Sequence, residues 1–549
     1  MTIVPHFLKT LLDLYGQELD QWFSERLYAH LCHQARRHEL VRLQACFDFG
    51  PLEARCQGYH HTTGPGAPAR HTIGQLVRAL LVKYLYGWSY RQTEERLRHD
   101  LVVKWFVGYG VLAEVLDHSA LCLFEQWVAQ TQPRAFFDPV LDQFDQALPE
   151  ESHRLQIGDT FAMRANAAQE SLVVLLRHTS RLLLGELEQG APAQSLALRA
   201  QLDLPLLFGP AEEPLVYWLS PEQRQTQRTN TGRGAWQLWQ AGQALLPQLP
   251  DGLRGRVQLR LADLDKILQD EYALELDAEG RLRDIVERDP KHKGAYRLCS
   301  ATDPEASCRN HGGTQTVGFN VSLAVTPHGV IREIAAATGA EPDAAGVARL
   351  VERQLQARGE CPDKLVYDQA AGSGRTRAEV ARVSAGQTQL VARIPPSSSP
   401  GRLGPEAFTQ PEPDSLVCPQ QQQTTRHYAA RDGVVFEFPA KVCRDCPLAA
   451  ACRGAKARPD RPRRVYISAF QPEVRQAQAY NQSAAFQQEM KLRPLVERVI
   501  FLLTGYDGAR RARGRGQARA DFQVKMCAAG RNLRTWLRLW DRKMAQGRV

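Results

Sequence analysis

Apolar residues recur at helical spacing early in the chain. Ile73, Leu76, Val77, Leu80 and Leu81 fall on one face of a helix whose start is marked by Thr72, a good N-cap. After the Gly87-Trp-Ser89 break, residues 90–97 read as a second short helix. Two short helices joined by a tight turn can enter a DNA groove, and they also build ordinary helical domains. The period changes at Arg154-Leu-Gln-Ile-Gly-Asp159, a short apolar run ending in an acid. Residues 170–275 return to helical spacing, with turn signals at Gly190-Ala-Pro192 and Asn230-Thr-Gly-Arg-Gly234. Beyond them 316–325 alternates like a strand, Thr326-Pro-His-Gly329 supplies a turn, and 330–335 forms its hairpin partner. An amphipathic helix over 343–357 leads to strands at 364–368 and 389–394, and 395–405 is a Pro/Ser/Gly-rich linker.

This order predicts a mixed α+β chain, a mixed sheet with helices on its faces. The expected divisions are a helical N-terminal DNA-binding and assembly domain over 1–150, a sheet-bearing core over 151–170 and 290–400, and a helical insertion over 171–289. A linker and cysteine-rich segment over 401–470 and a closing helical, basic region over 471–549 complete it. With 549 residues the chain is too long for a single core. Its 43% hydrophobic and 23% charged residues exclude wholesale disorder. Apolar runs such as Ala79-Leu-Leu-Val82 are broken well short of the roughly 20 residues of a membrane span, so no membrane partner is expected. Residues 1–9 show no charged leader with a long apolar core, and a cytoplasmic, nucleoid-associated location is expected.

Charge changes the picture by its placement. The formal net charge is +9, and residues 505–549 alone hold twelve Lys/Arg against three Asp/Glu, also a net of +9. A basic segment of that density gains affinity for phosphates through counterion release, although a solvated tail would look the same.

Two acids close strands in matching contexts, Ile157-Gly-Asp159-Thr160 and Leu365-Val-Tyr-Asp368-Gln369. A carboxylate at the end of a buried strand is rigidly held yet faces solvent, which suits metal ligation or acid–base work. Asp is also a common strand terminator. A third acid, Glu497, lies in a helix with Pro494 in its first turn, and Arg493 is one turn earlier on the same face. Asp303, before Pro304, and Asp343 read as local structural acids rather than primary ligands.

Several ordered motifs carry a resemblance. Asp159-Thr-Phe-Ala-Met-Arg-Ala-Asn166, Ser300-Ala-Thr-Asp-Pro-Glu-Ala306, Val317-Gly-Phe-Asn320, Ala337-Thr-Gly-Ala-Glu-Pro-Asp343, Arg493-Pro-Leu-Val-Glu497 and Gly530-Arg-Asn-Leu-Arg534 together resemble the long DDE-superfamily transposases of bacterial insertion sequences. The match runs from the helices near 72–127 to about residue 540. The resemblance implies a ribonuclease H-like catalytic core. It also implies Asp159, Asp368 and Glu497 as catalytic metal ligands and Arg493 as a phosphate contact. Two Mg²⁺ (or Mn²⁺) ions about 3.5 to 4 Å apart suit in-line displacement at a phosphodiester. Further DNA contacts are expected at Arg510, Arg511, Arg513, Arg515, Arg531 and Arg534, on double-stranded DNA at transposon ends and target, in a homodimer on paired ends. Two departures stand out: Asp368-Gln-Ala-Ala-Gly-Ser373 lacks the family's aromatic residue, and 501–504 offers no basic residue two turns after Glu497. Arg510 or Arg511 could substitute for the latter. A nuclease of the same fold and a domesticated DNA-binding protein without catalysis stay open as alternatives.

Four of the twelve cysteines, Cys418, Cys443, Cys446 and Cys452, fall within 35 residues. The Cys443-Arg-Asp-Cys446 spacing lets both thiolates reach one tetrahedral ion, so a structural Zn²⁺ is a candidate beside reduced, unliganded thiols. Trp218, Trp236 and Trp239 read as core residues of the insertion rather than platforms for an extruded base. Leu533, Trp536, Leu537 and Trp540 mark one apolar stripe of the final helix.

Overall fold

The computed structural model describes residues 6–60, 70–149, 154–210, 212, 214, 216–311, 313–395, 402–454, 457–458 and 460–545. Most of the 395–405 linker lies outside them. Near the N-terminus, Thr72 and Gln75 form a reciprocal capping box at the head of helix α1 (Ile73–Leu85), and Ser89 and Gln92 do the same for α2 (Tyr90–His99). Ile73, Leu76, Val77, Leu80 and Leu81 are all buried, as their spacing predicts.

The central sheet has six strands: β1 (Leu155–Arg164), β2 (Ser307–His311), β3 (Thr314–Val325), β4 (Ile331–Thr338), β5 (Lys364–Val366) and β6 (Gln389–Val391). Their order is β2–β3–β1–β5–β6, with β4 also paired to β3. β1, β3 and β4 are joined antiparallel, whereas β1–β5 and β5–β6 are parallel. Parallel neighbours need a crossover, and helices α3 (Asp343–Arg358) and α4 (Gly374–Val383) provide the polypeptide for two of them. This is the mixed sheet with flanking helices that the strand order predicted. Along β3, Phe319, Val321, Leu323 and Val325 face one core, while Ala324 faces α3 through Val347, Leu350 and Val351. Both faces are therefore covered.

Between β1 and β2 the chain builds a helical insertion with its own core, in which Leu175, Leu187, Trp236, Leu261 and Tyr272 are buried together. Helix Leu172–Gly190 stops at the expected break and the next starts at Pro192. The turn expected at 230–234 is absent: helix Pro221–Leu245 runs straight through it. Those glycines serve close packing instead. A Cβ on Gly232 would lie 2.8 Å from the Tyr272 ring, and one on Gly234 would lie 2.8 Å from the Leu207 backbone. Only a residue without a side chain fits there, and the approach of neighbouring elements offsets the roughly 1 kcal/mol that glycine costs a helix.

The cysteine-bearing segment forms two small sheets, 409–424 and 427–468, around Phe408, Leu416, Phe436 and Val465. Helix α5 (Pro494–Gly505) follows, with Pro494 at its first position, where a missing N–H costs nothing. Helix α6 (Gln517–Ala545) closes the chain and buries the predicted stripe: Leu533, Trp536 and Leu537 are 0–5% exposed. Trp536 packs edge-on to Phe47 and Phe144, so the first helices, the sheet and the last helix share one apolar core. Polar side chains of α6 also cover the free edge of β4. Asn532 accepts from the Ile331 N–H at 2.8 Å and donates to the Ile331 carbonyl at 2.9 Å, and Asp521 accepts from the Ala336 N–H at 2.9 Å. Such cover removes the unpaired backbone that makes an edge strand aggregation-prone.

Candidate active site

β1 and β5 set the spacing of the first two acids. They pair in parallel at Leu155–Lys364, Gln156–Leu365 and Ile157–Val366. Asp159 and Asp368 each lie two residues past the last of these pairs, so parallel neighbours deliver both carboxylates to the same edge of the sheet. Between the strands Gly158 makes room. Tyr367, fully buried, lies against it so closely that a Cβ at 158 would sit 2.5 Å from the ring. The Tyr367 hydroxyl is buried without a hydrogen-bond partner.

Asp159 is held at both oxygens. Oδ1 accepts from the Thr160 N–H at 2.8 Å and Oδ2 from Arg493 Nη2 at 2.9 Å. Burial raises its pKa above the ordinary carboxylate value, and the nearby Asp368 adds to that; Thr160 and Arg493 pull the other way. Asp368 accepts from the Ala370 N–H at 3.1 Å, fixing the turn after β5. The two sequence-predicted aspartates thus stand at the same edge of the sheet.

Helix α5 packs on β1 and brings Arg493 to the pair. Glu497, a turn later, is exposed and makes no hydrogen bond or ion pair with the described residues. Among the described residues no three His, Cys, Asp or Glu groups converge to hold a metal ion, so the third acid is not within ligand range alongside the two aspartates. The pair offers the hard carboxylate oxygens that a divalent cation prefers, Asp159 largely buried and Asp368 half-exposed. Arg493 Nε is buried without a partner, which leaves a donor of the guanidinium unsatisfied beside the pair.

Behind the pair lies a polar network that draws on Asn320 and Asp343, the closing residues of two of the quoted motifs. Arg309 from β2 donates to Asn320 of β3, to Thr160 at 3.2 Å, and pairs with Asp343 at 3.0 Å, while Asn320 also donates to Asp343 at 2.9 Å. Asp343 is held in this network by Arg309 and Asn320. Asp303 is buried, accepting from the Gly516 N–H at 3.0 Å. Asn166, the last residue of the first-aspartate motif, donates to the Arg513 carbonyl at 3.1 Å, and Arg511 pairs beside Arg164 as a short extension of β1.

The basic C-terminal arginines divide. Arg510, Arg511 and Arg515 are exposed. Arg513 donates to the carbonyls of Gly87 and Trp88, both at 3.0 Å. Arg531 grips Asp507 at 2.6 and 2.7 Å, and Arg534 reaches both Glu39 and Asp507. Of the tryptophans, Trp236 and Trp239 pack together with ring centres 4.8 Å apart, but Trp218 is 74% exposed. The core reading of Trp218 is corrected. It sits in a short turn, Val216–Trp218, outside the helices whose faces make the insertion core.

Cys418, Cys443, Cys446 and Cys452 are free thiols lining one cavity of about 380 Å³. Burial raises the Cys443 pKa, and the other three thiols contribute to the rise, which places all four in one electrostatic neighbourhood.

No curated protein and no solved structure matches the chain. Two family models do match: residues 29–127 correspond to a "Transposase domain (DUF772)" and residues 417–537 to a "Transposase DDE domain". The second stretch holds Arg493 and Glu497 and begins after both aspartates. A transposase domain at the N-terminal helices, a transposase DDE domain from the cysteine-bearing segment into the closing helices and a mixed sheet between them together support a DDE-type insertion-sequence transposase.

Proposed function

We propose that this transposase cuts at the terminal inverted repeats of its own element and joins the ends to target DNA. The observation that carries this is the Asp159–Asp368 pair, two carboxylates at one sheet edge on parallel neighbouring strands, with Arg493 on Asp159. Asp159 and Asp368 would hold the metal; Glu497, outside ligand range in this arrangement, would have to approach with α5 to complete the set. Bound there, Mg²⁺ or Mn²⁺ would supply Lewis-acid activation of the attacking oxygen and stabilisation of the leaving one. Arg493 presents a guanidinium fork matched to phosphate oxygens and would orient the scissile strand. The Arg309–Asn320–Asp343 network keeps β1 in place through Thr160. Arg510, Arg511 and Arg515 are available for DNA backbone, whereas Arg513, Arg531 and Arg534 brace the segment that presents them. Paired ends call for a homodimer.

A strand-transfer assay with Mn²⁺ and duplexes carrying the flanking inverted repeats tests the reading. Joined products are expected; nicks alone favour a nuclease, and retention without cleavage favours a DNA-binding protein. Asp159→Ala, Asp368→Ala and Glu497→Ala should each abolish products while DNA binding survives, and full activity in any of them removes that residue from the site.

The Cys443-Arg-Asp-Cys446 spacing suits two thiolates of a tetrahedral Zn²⁺ site, although among the described residues no three of the four thiols converge to hold an ion. Purified protein should contain one zinc per chain and melt lower with a chelator. A zinc-free protein with an unchanged melt rules the site out.

A further inference from the structure

On the far side of α5 is a second basic feature. Counting about 100° per residue around the helix, Arg493 and Glu497 point one way, while Leu495, Arg498, Val499 and Leu502 point roughly opposite. The latter face lines a cavity of about 270 Å³, closed by the 327–329 turn and by α6. Five arginines line it: Arg498 from α5 and Arg531, Arg534, Arg538 and Arg542 from α6. The α6 set is spaced by three, four and four residues, one face of a helix. No carboxylate lines the cavity.

Its charge is only partly balanced. Asp507, buried behind the cavity, takes Arg531 and Arg534, and Glu39 also takes Arg534. Arg538 donates to the His328 carbonyl at 2.7 Å. Arg498 and Arg542 are exposed and make no hydrogen bond or ion pair with described residues. Cations in the last turn of a helix complement its dipole, which accounts for a charge at 542. It does not account for Arg498 on another helix turned toward the same cavity. Guanidinium groups gathered from two elements with no carboxylate among them match an oxyanion carrying several acceptor oxygens.

We propose that this arginine cavity holds backbone phosphates of duplex DNA, making a second contact on the side of α5 away from the catalytic acids. A duplex gripped there and at Arg493 would straddle α5. The inference rests on the chain acting on DNA, and it deepens that reading by naming Arg498, Arg538 and Arg542 as contacts.

The test is an anisotropy titration of the full-length protein with a fluorescent duplex at several salt concentrations, comparing wild type with an Arg498→Gln/Arg542→Gln double variant. Both side chains are exposed, so the variant should fold, which its melting temperature confirms. Loss of two phosphate contacts should make the slope of log K against log salt shallower by about 1.8 and weaken binding roughly 10- to 100-fold at 0.1 M salt. Unchanged affinity and slope overturn the proposal. So does a wild type that binds no duplex, or a cavity that takes a free oxyanion: melting raised by millimolar phosphate in wild type alone, with DNA affinity equal in both. Asp159→Asn should bind with the wild-type slope. A wild type that binds but neither cuts nor joins sinks the catalytic reading and leaves this one standing.

Discussion

Replacing Gly158 by alanine should unseat the aspartate pair without touching either acid. The new Cβ would lie 2.5 and 2.6 Å from two carbons of the Tyr367 ring and 3.3 Å from the Leu323 carbonyl. Carbon atoms in contact prefer roughly 3.5 to 4.0 Å, so ring and methyl must separate by about 1 Å. The ring cannot swing aside, because Tyr367 is fully buried and its N–H donates to the Val391 carbonyl at 2.9 Å. Overpacking of this kind costs about 1–3 kcal/mol, and the shift passes to the next residue, Asp368. Urea denaturation should show that loss, hydrogen exchange should rise in peptides covering 155–164 and 364–368, and cleavage should fall more steeply than stability. Gly158→Ala with Tyr367→Leu should cost less than the sum of the two alone, because the second change removes the ring that the first one strikes; contacting residues typically couple by about 0.5–3 kcal/mol. A Gly158→Ala protein as stable and active as wild type, or strict additivity, would refute the reasoning.

Other consequences follow from the same packing and charges. Because burial raises the Asp159 pKa, the folded chain holds that proton more tightly than the unfolded chain, and ionisation above the ordinary Asp range costs stability. Asp159→Asn should therefore melt higher than wild type at neutral pH in chelator, with the gap closing as pH falls below that range; a lower melt at neutral pH contradicts the assignment. Asp507→Ala removes a buried carboxylate and leaves the half-buried Arg531 unpaired, which should cost about 3–5 kcal/mol in urea denaturation, where a loss below about 1 would mean the pair is solvated. Trp236→Ala should cost about 3–5 kcal/mol, whereas Trp218→Ala should stay within about 0.5. Equal melts for the two variants would put both rings in the same environment.

What could be seen in the sequence was what is written locally. The Thr72 N-cap, the strand alternation of 316–325 and the acid-ended runs at Asp159 and Asp368 depend on neighbours a few positions away, and the structure holds each of them. The glycines at 232 and 234 misled because a turn and a close approach demand the same residue, and what decides between them, Tyr272 and Leu207, lies far along the chain. Trp218 misled because ring size says nothing about which side of a helix the chain has already buried. The arginines show the limit most plainly. Arg534 is balanced by Glu39, 495 positions earlier, and no local count of charge could show that it is already paired. The placement of Glu497 relative to the aspartates likewise depends on how α5 lies on β1, which neither segment specifies alone.

The way α6 is used has a consequence for how the protein is made. Its side chains cover the β4 edge and fill the aromatic pocket around Phe47 and Phe144, so the helices ahead of β1 wait for residues 517–545 before their core closes. A frameshifted, prematurely stopped or 3′-truncated copy would expose a raw sheet edge and be cleared by proteases. Quality control of the reading frame is thereby built into the architecture: a chain whose core has closed has been translated past α6.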